Sequence, residues 1–376
     1  MDNYRICQRC VMDTSASEIF FNDDGTCQFC TDFLEKIKSS NLLNFELQQS
    51  NLNQFIIKLK KDGQHKKYDC IVGLSGGVDS SWVLVQAVKL GLRPLAVHMD
   101  NGWNSEIAQN NIENLVKKLN VDLFTYVIDW NEYRDLQEAF FNADVVDIEL
   151  LYDNALAGVN YMMASKYNIK YILSGSNTAT EGLKMPKDWA IRNKYDYKNI
   201  LSIWKKCGKN YPLKSFPGIG FINHLYFNHL KRIRWVPFLN YLNYNKNEVV
   251  SILTSEFDFV PYPYKHYESV FTRFYQGYIL PKKFGFDKRK NHLSALVLTG
   301  QMTRIEALLL LEKDPYPDQI QFQNDFDYVL KKFSWKKDFF LEYISRPMKA
   351  HESYGSEDIF WDFEKKLSMY VKKLIR

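Results

Sequence analysis

The sequence contains no run of about eighteen continuous apolar residues, the length a helix needs to cross a bilayer. Its first residues lead into Cys7 and Cys10 without the apolar segment that opens a secretory signal. The expectation from both absences is a cytoplasmic protein with no membrane insertion. Internal repeats and low-complexity tracts are also missing, which excludes solenoids and compositionally biased linkers. Neither sign of charge dominates. A net charge of +5 over 376 residues suits an anionic small substrate and gives no footprint for nucleic acid. Cysteine is scarce, and six thiols in a reducing compartment read as metal ligands or buried side chains rather than disulfides. Walker A and dinucleotide Gly-x-Gly-x-x-Gly spacings are both lacking. What is present is an ordinary globular composition, 46% apolar and 25% charged, with 24 Tyr and 26 Phe available for large packing surfaces. This length accommodates one large domain with small attachments.

The most informative stretch is Asp69-Cys70-Ile71-Val72-Gly73-Leu74-Ser75-Gly76-Gly77-Val78-Asp79-Ser80-Ser81, followed by the apolar helical segment from Trp82 to Val88. It predicts a strand, a tight loop and a helix. Gly76 and Gly77 allow the backbone to come close to an anion, and the helix N-terminus presents free N–H groups with a positive dipole end. Ser75 to Ser81 (Ser75, Gly76, Gly77, Val78, Asp79, Ser80 and Ser81) is therefore a candidate phosphate cradle, with Asp79 a candidate Mg²⁺ ligand. A plain strand-to-helix turn capped by Asp79 or Ser80 is the simpler alternative.

Two Cys-x-x-Cys knuckles, Cys7/Cys10 and Cys27/Cys30, lie sixteen residues apart. Four thiolates so spaced can close a tetrahedron around Zn²⁺ with no open position, so the metal would be structural. Redox thiols or an iron–sulfur cluster are the alternatives. Phe20 to Thr26 holds an Asp-Gly turn that swings the second knuckle back. Cys70 is expected as a buried inert thiol, and Cys207 stands in a polar, basic stretch where it could be exposed.

Alternating patterns continue along the chain. Leu95 to Met99, Val121 to Ile128 and Tyr171 to Leu173 read as strands. Ser105 to Leu119, a segment around Leu136 to Phe141 and Asn154 to Tyr167 read as helices. That alternation predicts an α/β doubly wound parallel sheet. In such a sheet ligands gather at the carboxyl ends of strands. His98, Met99 and Asp100 thus become candidate nucleotide contacts, with the backbone of this loop and Trp103 able to face adenine. A simple Asn-Gly turn is the alternative there. Gly175, Asn177 and Glu181 follow the strand at Tyr171 and could offer N–H groups, an amide and a carboxylate to a metal-bound nucleotide.

Ser75 to Ser81 resembles the Ser-Gly-Gly-x-Asp-Ser signature of PP-loop (HUP-like) ATP pyrophosphatases. Further blocks resemble the bacterial N-acetyl sugar amidotransferases: Cys7 to Thr14, His98 to Trp103, Lys265 to Ser269, Thr272 to Gln276, Leu280 to Arg289 and Gly300 to Leu308. The resemblance implies ATP-dependent conversion of an acetamido group on a sugar acid to an acetamidino group, for O-antigen or flagellar glycan. ATP would adenylate the amide oxygen, and ammonia would displace AMP. It implies ATP, Mg²⁺ and Zn²⁺ as cofactors, and Lys283, Lys288, Arg289 or Lys265 as cations for phosphate charge or a substrate carboxylate. No cysteine is placed as an amino-terminal nucleophile, so ammonia is expected from solution or from a partner subunit, and the resemblance implies a separate glutaminase and a cyclase-like ammonia-channel subunit as partners.

The expected organisation is a zinc-ribbon-like four-cysteine module over 1–40, the PP-loop domain over 41–255 and a mostly helical substrate or cover region over 256–376. Aromatic and basic residues from Tyr262 to Tyr278 could line a sugar-acid pocket or form a packed helical layer. Two competing functions remain at this level. A PP-loop tRNA thiolase predicts a broad basic face and a site cysteine, and a non-catalytic zinc-ribbon interaction protein predicts a degenerate loop.

Overall fold

The computed structural model describes residues 4–40, 44–262, 267–316 and 318–374. Five parallel strands form its sheet: β1 (Cys70–Gly73), β2 (Pro94–Asp100), β3 (Leu123–Val127), β4 (Tyr171–Ser174) and β5 (Arg234–Pro237). Their order is β3-β2-β1-β4-β5, all in parallel register, with Ile71 opposite both Leu95 and Ile172. The chain thus winds outward in both directions from β1. The reversal between β1 and β4 is the place where such sheets open a crevice beyond their carboxyl ends.

The central strands bury both faces, and side-chain alternation divides them between two cores. Cys70, Val72, Leu74, Ala96, Tyr171 and Leu173 point to one core. Ile71, Leu95, Val97, Met99 and Ile172 point to the other. The helices are α1 (Gln28–Ser40), α2 (Phe45–Gly63), α3 (Val78–Lys89), α4 (Glu106–Leu119), α5 (Trp130–Asn142) and α6 (Leu150–Lys166), with later ones cited by range. Residues of α2, α3, α4 and Lys246–Phe257 cover the first face. The second core is larger and continuous, joining α5, α6, the four clustered cysteines and the carboxyl-terminal helices.

Local signals account for most element ends. Ser105 caps α4, its hydroxyl accepting from the Ala108 N–H, and Asn120 closes that helix in the left-handed region at φ 52°. Thr303 and Glu306 form a capping box at the start of Arg304–Glu312. Gln319–Phe333 and Asp358–Leu374 are amphipathic helices near the end of the chain. The segment from Phe271 to Tyr278 is the packed layer rather than a pocket wall, with Phe271, Phe274 and Tyr275 buried. Arg273 is committed to Asp325 there, in a two-pronged pair at 2.6 Å. Strand β5 was not foreseen, because Arg-Trp-Val-Pro is short and carries no alternating pattern. Among the described residues no helix is long and apolar enough to cross a membrane.

Candidate active site

The loop leaving β1 turns through Gly76 at φ +80°. A Cβ at Gly76 would stand 2.7 Å from the Ala108 carbonyl oxygen, so no larger residue fits between this loop and α4. Inside the loop the Ser75 N–H donates to Ser80 Oγ at 3.2 Å, and the Gly77 N–H donates to Ser75 Oγ at 3.2 Å. These bonds curl the backbone around the start of α3, whose N-cap Gly77 supplies no side-chain cap. The result is a helix N-terminus framed by hydroxyls, suited to an anion. Ser81 differs from the expectation for it. It is fully buried, with its hydroxyl turned into the core side of α3.

The loop after β4 meets this one back to back. A Cβ at Gly175 would lie 2.9 Å from the Asp79 carbonyl carbon and the Ser80 nitrogen, so the two loops touch through backbone. Asn177 starts the short helix Thr178–Glu181, its Oδ1 accepting from Thr180 N–H at 2.8 Å. Its amide is therefore used to shape the loop rather than offered outward. Asp79 accepts a hydrogen bond from the Tyr244 hydroxyl. Burial and then Asp79, with Glu181 adding to it, push the Tyr244 phenol well above its ordinary range. Asp79 and Glu181 thus act on one buried phenol, and two such carboxylates beside a phosphate cradle fit a hard divalent cation. Tyr244 carries no motif in the sequence, and only the fold reveals it.

The end of β2 supports the cradle from the other side. His98 is buried, with Nδ1 bonded to the Leu74 carbonyl at 2.8 Å and Nε2 to the Asn104 amide at 3.0 Å. Burial holds its pKa below the ordinary value, so the neutral ring brackets the ends of β1 and β2. Both nitrogens are engaged within the protein. The side chain of Met99 lies in the core, and Asp100 Oδ1 accepts from the Gly102 N–H at 2.8 Å. Trp103 does not face a nucleotide. It is 1% exposed, donates from Nε1 to Gln137 at 2.8 Å and packs on Trp130, Phe271 and Phe333. Trp103→Ala should therefore cost about 3–5 kcal/mol of stability. A chemical melt shifted by under about 1 kcal/mol would contradict that placement.

The carboxyl-terminal part of the chain reaches the cradle through Tyr262 and, further on, through residues 268–270. Tyr262 donates from its hydroxyl to the Gly76 carbonyl at 3.1 Å. The Ser105 N–H donates to the Glu268 carbonyl at 2.9 Å, and the Val270 N–H donates to the Trp103 carbonyl at 2.9 Å. These bonds place the Glu268 carboxylate so close to the loop that a Cβ on Gly77 would be 3.1 Å from Oε1. Lys265, one of the expected cations, falls outside the described residues.

The other three expected cations separate. Lys288 donates to Glu149 at 2.9 Å, just ahead of α6, whose first turn stands at the carboxyl edge of the sheet. Burial works against the charge on Lys288, but Glu149 and Asp147 outweigh it and raise the amine above its ordinary value. Lys194, which the sequence did not single out, joins this cluster by bonding Asp147 at 2.6 Å and Asp153 at 3.0 Å. Gln276 donates to Glu149 at 2.9 Å. Burial, and after it the charges of Glu268, Asp153 and Glu149, raise the Tyr152 phenol above its ordinary range, which sets this side chain among carboxylates of both the cluster and the cradle. Lys283, by contrast, is fully buried and spends its protons on Asp144 and the carbonyls of Tyr343 and Arg346. Arg289 is bound to Asp287 and to the carbonyls of Leu310 and Lys313. Both pack the carboxyl-terminal layer, a correction to the expectation that they face phosphate or substrate.

His351 ties the same cluster to the last helices. Its Nδ1–H donates to Asn199 Oδ1 at 2.8 Å, and its Nε2 accepts from the Asp147 N–H at 3.1 Å. That pattern requires the neutral ring, and burial pulls the pKa down to about 4. An unfolded histidine titrates near about pH 6.5. The stability this ring contributes is complete above about 6.5 and is lost as pH falls toward the folded value. Melting temperature should accordingly fall between those limits, and less steeply in His351→Asn. Parallel pH profiles for the two proteins would refute the assignment.

Cys7, Cys10, Cys27 and Cys30 are buried, and their sulfurs all lie within 4.8 Å of one another. Sγ–Sγ separations of 3.6, 3.8 and 3.6 Å for Cys7–Cys30, Cys10–Cys27 and Cys27–Cys30 compare with about 3.8 Å for the edge of a tetrahedron with 2.3 Å Zn–S bonds. Backbone N–H groups of Arg9, Met12 and Cys27 point at the sulfurs at 3.2–3.4 Å. Hydrogen bonding among the four sulfurs pushes Cys10 and Cys30 above the usual thiol range and Cys7 and Cys27 below it, so the set shares its protons. The set could hold a zinc ion. Cys70 is buried in β1, its thiol raised by burial, and Cys207 is half-buried against the larger core.

Two family models match separate parts of the chain. Residues 49–182 match the NAD synthase family model, and residues 268–368 match the model for the C-terminal domain of WbpG-like LPS biosynthesis proteins. The uncharacterized protein MJ1599 of Methanocaldococcus jannaschii is 28% identical over 214 residues, covering 53% of this chain and 74% of that protein. Among solved structures, the NH3-dependent NAD synthetase of Campylobacter jejuni aligns at 16% identity and TM-score 0.30 over 56% of this chain and 84% of its own. The NMN synthetase of Francisella tularensis aligns at 17% identity and TM-score 0.29 over 57% and 98%.

Proposed function

We propose that this PP-loop superfamily protein, which carries a WbpG-like LPS biosynthesis domain, is an ATP-dependent amidotransferase that turns the acetamido group of a sugar acid into an acetamidino group. One observation carries the proposal. The WbpG-like segment itself brings Glu268 against Gly77 of the phosphate cradle and Lys288 onto Glu149, so the two matched regions meet at the candidate site.

An amide carbonyl is a poor electrophile with a poor leaving oxygen, so the oxygen must first be converted into one that leaves. The amide oxygen attacks the α-phosphorus of ATP, the bond to the β-phosphate breaks, and pyrophosphate departs into the helix N-terminus at Gly77–Ser80. Asp79 and Glu181 would hold Mg²⁺, which supplies charge neutralisation to the phosphates. Ammonia then adds to the activated carbon, AMP leaves, and one proton is lost to give the amidine. Lys288 and Lys194 would receive the substrate carboxylate, exchanging part of their bonding to Glu149, Asp147 and Asp153. Ammonia would come from solution or a partner subunit, and the resemblance to the sugar amidotransferases implies a separate glutaminase with a cyclase-like channel subunit as its source. The product would serve O-antigen or flagellar glycan.

The test incubates the protein with ATP, Mg²⁺, ammonium and a panel of acetamido sugar acids. The expected result is AMP, pyrophosphate and a sugar lighter by the difference between O and NH. AMP formation that requires tRNA, with no sugar altered, would overturn the proposal in favour of a tRNA-modifying enzyme.

A further inference from the structure

Helix Arg289–Leu298 lies between the cysteine cluster and the nucleotide loop and bonds to both. On one side the Val11 N–H donates to Ser294 Oγ at 3.1 Å, Lys290 pairs with buried Asp13, and Leu293 and Leu296 pack on Val11 and Ala307. Arg304, just beyond that helix, donates to the Cys7 carbonyl at 2.8 Å and the Cys10 carbonyl at 3.0 Å. On the other side His292 Nδ1 donates to the Thr180 carbonyl at 2.8 Å, and Thr299 Oγ1 lies 3.0 Å from the Ala179 carbonyl, sharing its one proton between it and the Ala295 carbonyl of its own helix at 2.9 Å. The Thr180 and Ala179 carbonyls belong to the short helix Thr178–Glu181. The first module also touches this loop directly, since a Cβ on Gly182 would fall 2.7 Å from Phe33 Cε2 in α1.

We infer that the cysteine cluster, when it holds its metal, braces the nucleotide loop at 175–182 through this helix, with His292 and Thr299 as positioning residues for Glu181. Four residues are too few for a helix to hold itself in water, so the geometry of Thr178–Glu181 depends on what it is bonded to. The chain of contacts begins at two knuckle carbonyls and ends at the loop's own carbonyls. Loss of the metal therefore frees the anchored end of this brace and loosens the loop at 178–182. The effect on catalysis rests on the proposed ATP chemistry, but the mechanical coupling does not.

The experiment follows amide hydrogen exchange in peptides covering 176–183 of the full chain loaded with zinc, with Gln319–Phe333 as an internal reference. His292→Ala with Thr299→Val should speed exchange at 178–182 by about tenfold, as expected for two lost hydrogen bonds. Zinc stoichiometry should stay unchanged in that variant. The KM for ATP should rise with kcat nearly constant, and His292→Gln, which retains an N–H donor, should restore part of both. Removing zinc from the wild type with a chelator should produce the same loosening, and adding the chelator to the double variant should produce little more. Native exchange at 178–182 in the double variant overturns the inference, as does native exchange there in the chelated wild type. If chelation instead unfolds the reference peptide as well, the zinc-loaded double variant decides. An absence of ATP turnover with these exchange results would remove the proposed function and leave the brace standing.

Discussion

Asp79→Asn should reduce turnover by about 10³-fold while leaving the melting temperature within a few degrees of wild type. The side chain is isosteric, so the hydroxyl of Tyr244 keeps an acceptor and the start of α3 keeps its shape. What is lost is the negative charge beside Glu181 that would hold a divalent cation against the phosphates. Steady-state assays at several Mg²⁺ concentrations give the diagnostic pattern. Lost activity that high Mg²⁺ partly restores supports a metal-holding role, and activity within a factor of about two of wild type removes that role. Tyr244→Phe makes the companion measurement, because it leaves the carboxylate and removes only the proton that orients it. A loss of about tenfold is expected there, consistent with one hydrogen bond to a charged group.

Cys10→Ser should abolish stoichiometric metal binding and unfold the first forty residues or so at ordinary temperature. Structural zinc contributes on the order of 10 kcal/mol in small cysteine modules, and three thiolates bind far more weakly than four. The cluster is built into the larger core here, with Met12, Phe29 and Phe33 buried beside the sulfurs, so the damage spreads beyond the knuckles. Metal analysis together with a thermal melt checks this. A variant that melts like wild type while lacking metal would show that the cysteines contribute only their packing.

Much of the sheet was legible because its signals are local. Apolar runs ending in Gly-containing turns mark β1, β2 and β4, and Ser105, Asn120 and Thr303 announce helix ends by their own chemistry. The cradle was legible for the same reason, since two glycines and two hydroxyls act within a few residues of one another. The cations were not. Lys283 and Lys288 are five positions apart in one block, yet one is fully buried against Asp144 and the other is paired with Glu149. Nothing along the chain distinguishes them, because the choice of carboxylate is made by packing between α6 and helices that follow more than a hundred residues later. Tyr244 and Lys194 were invisible for the same cause. Trp103 misled because an aromatic beside a ligand loop and an aromatic beneath it have the same sequence signature, and only burial separates them.

The back-to-back contact at Gly175 divides the cleft into a part that tolerates redesign and a part that does not. Its missing side chain is what lets the β4 loop lie against Asp79 and Ser80, so every larger residue there would wedge the nucleotide end apart whatever sugar is being sought. Tyr152, Asp153, Lys194 and Gln276 stand among the carboxylates around Glu149 instead. A library meant to change which sugar acid is accepted should vary those four positions together and hold residue 175 fixed. Under the proposed function, selection on such a library would act on the side proposed for the sugar acid while the contact at residue 175 is kept.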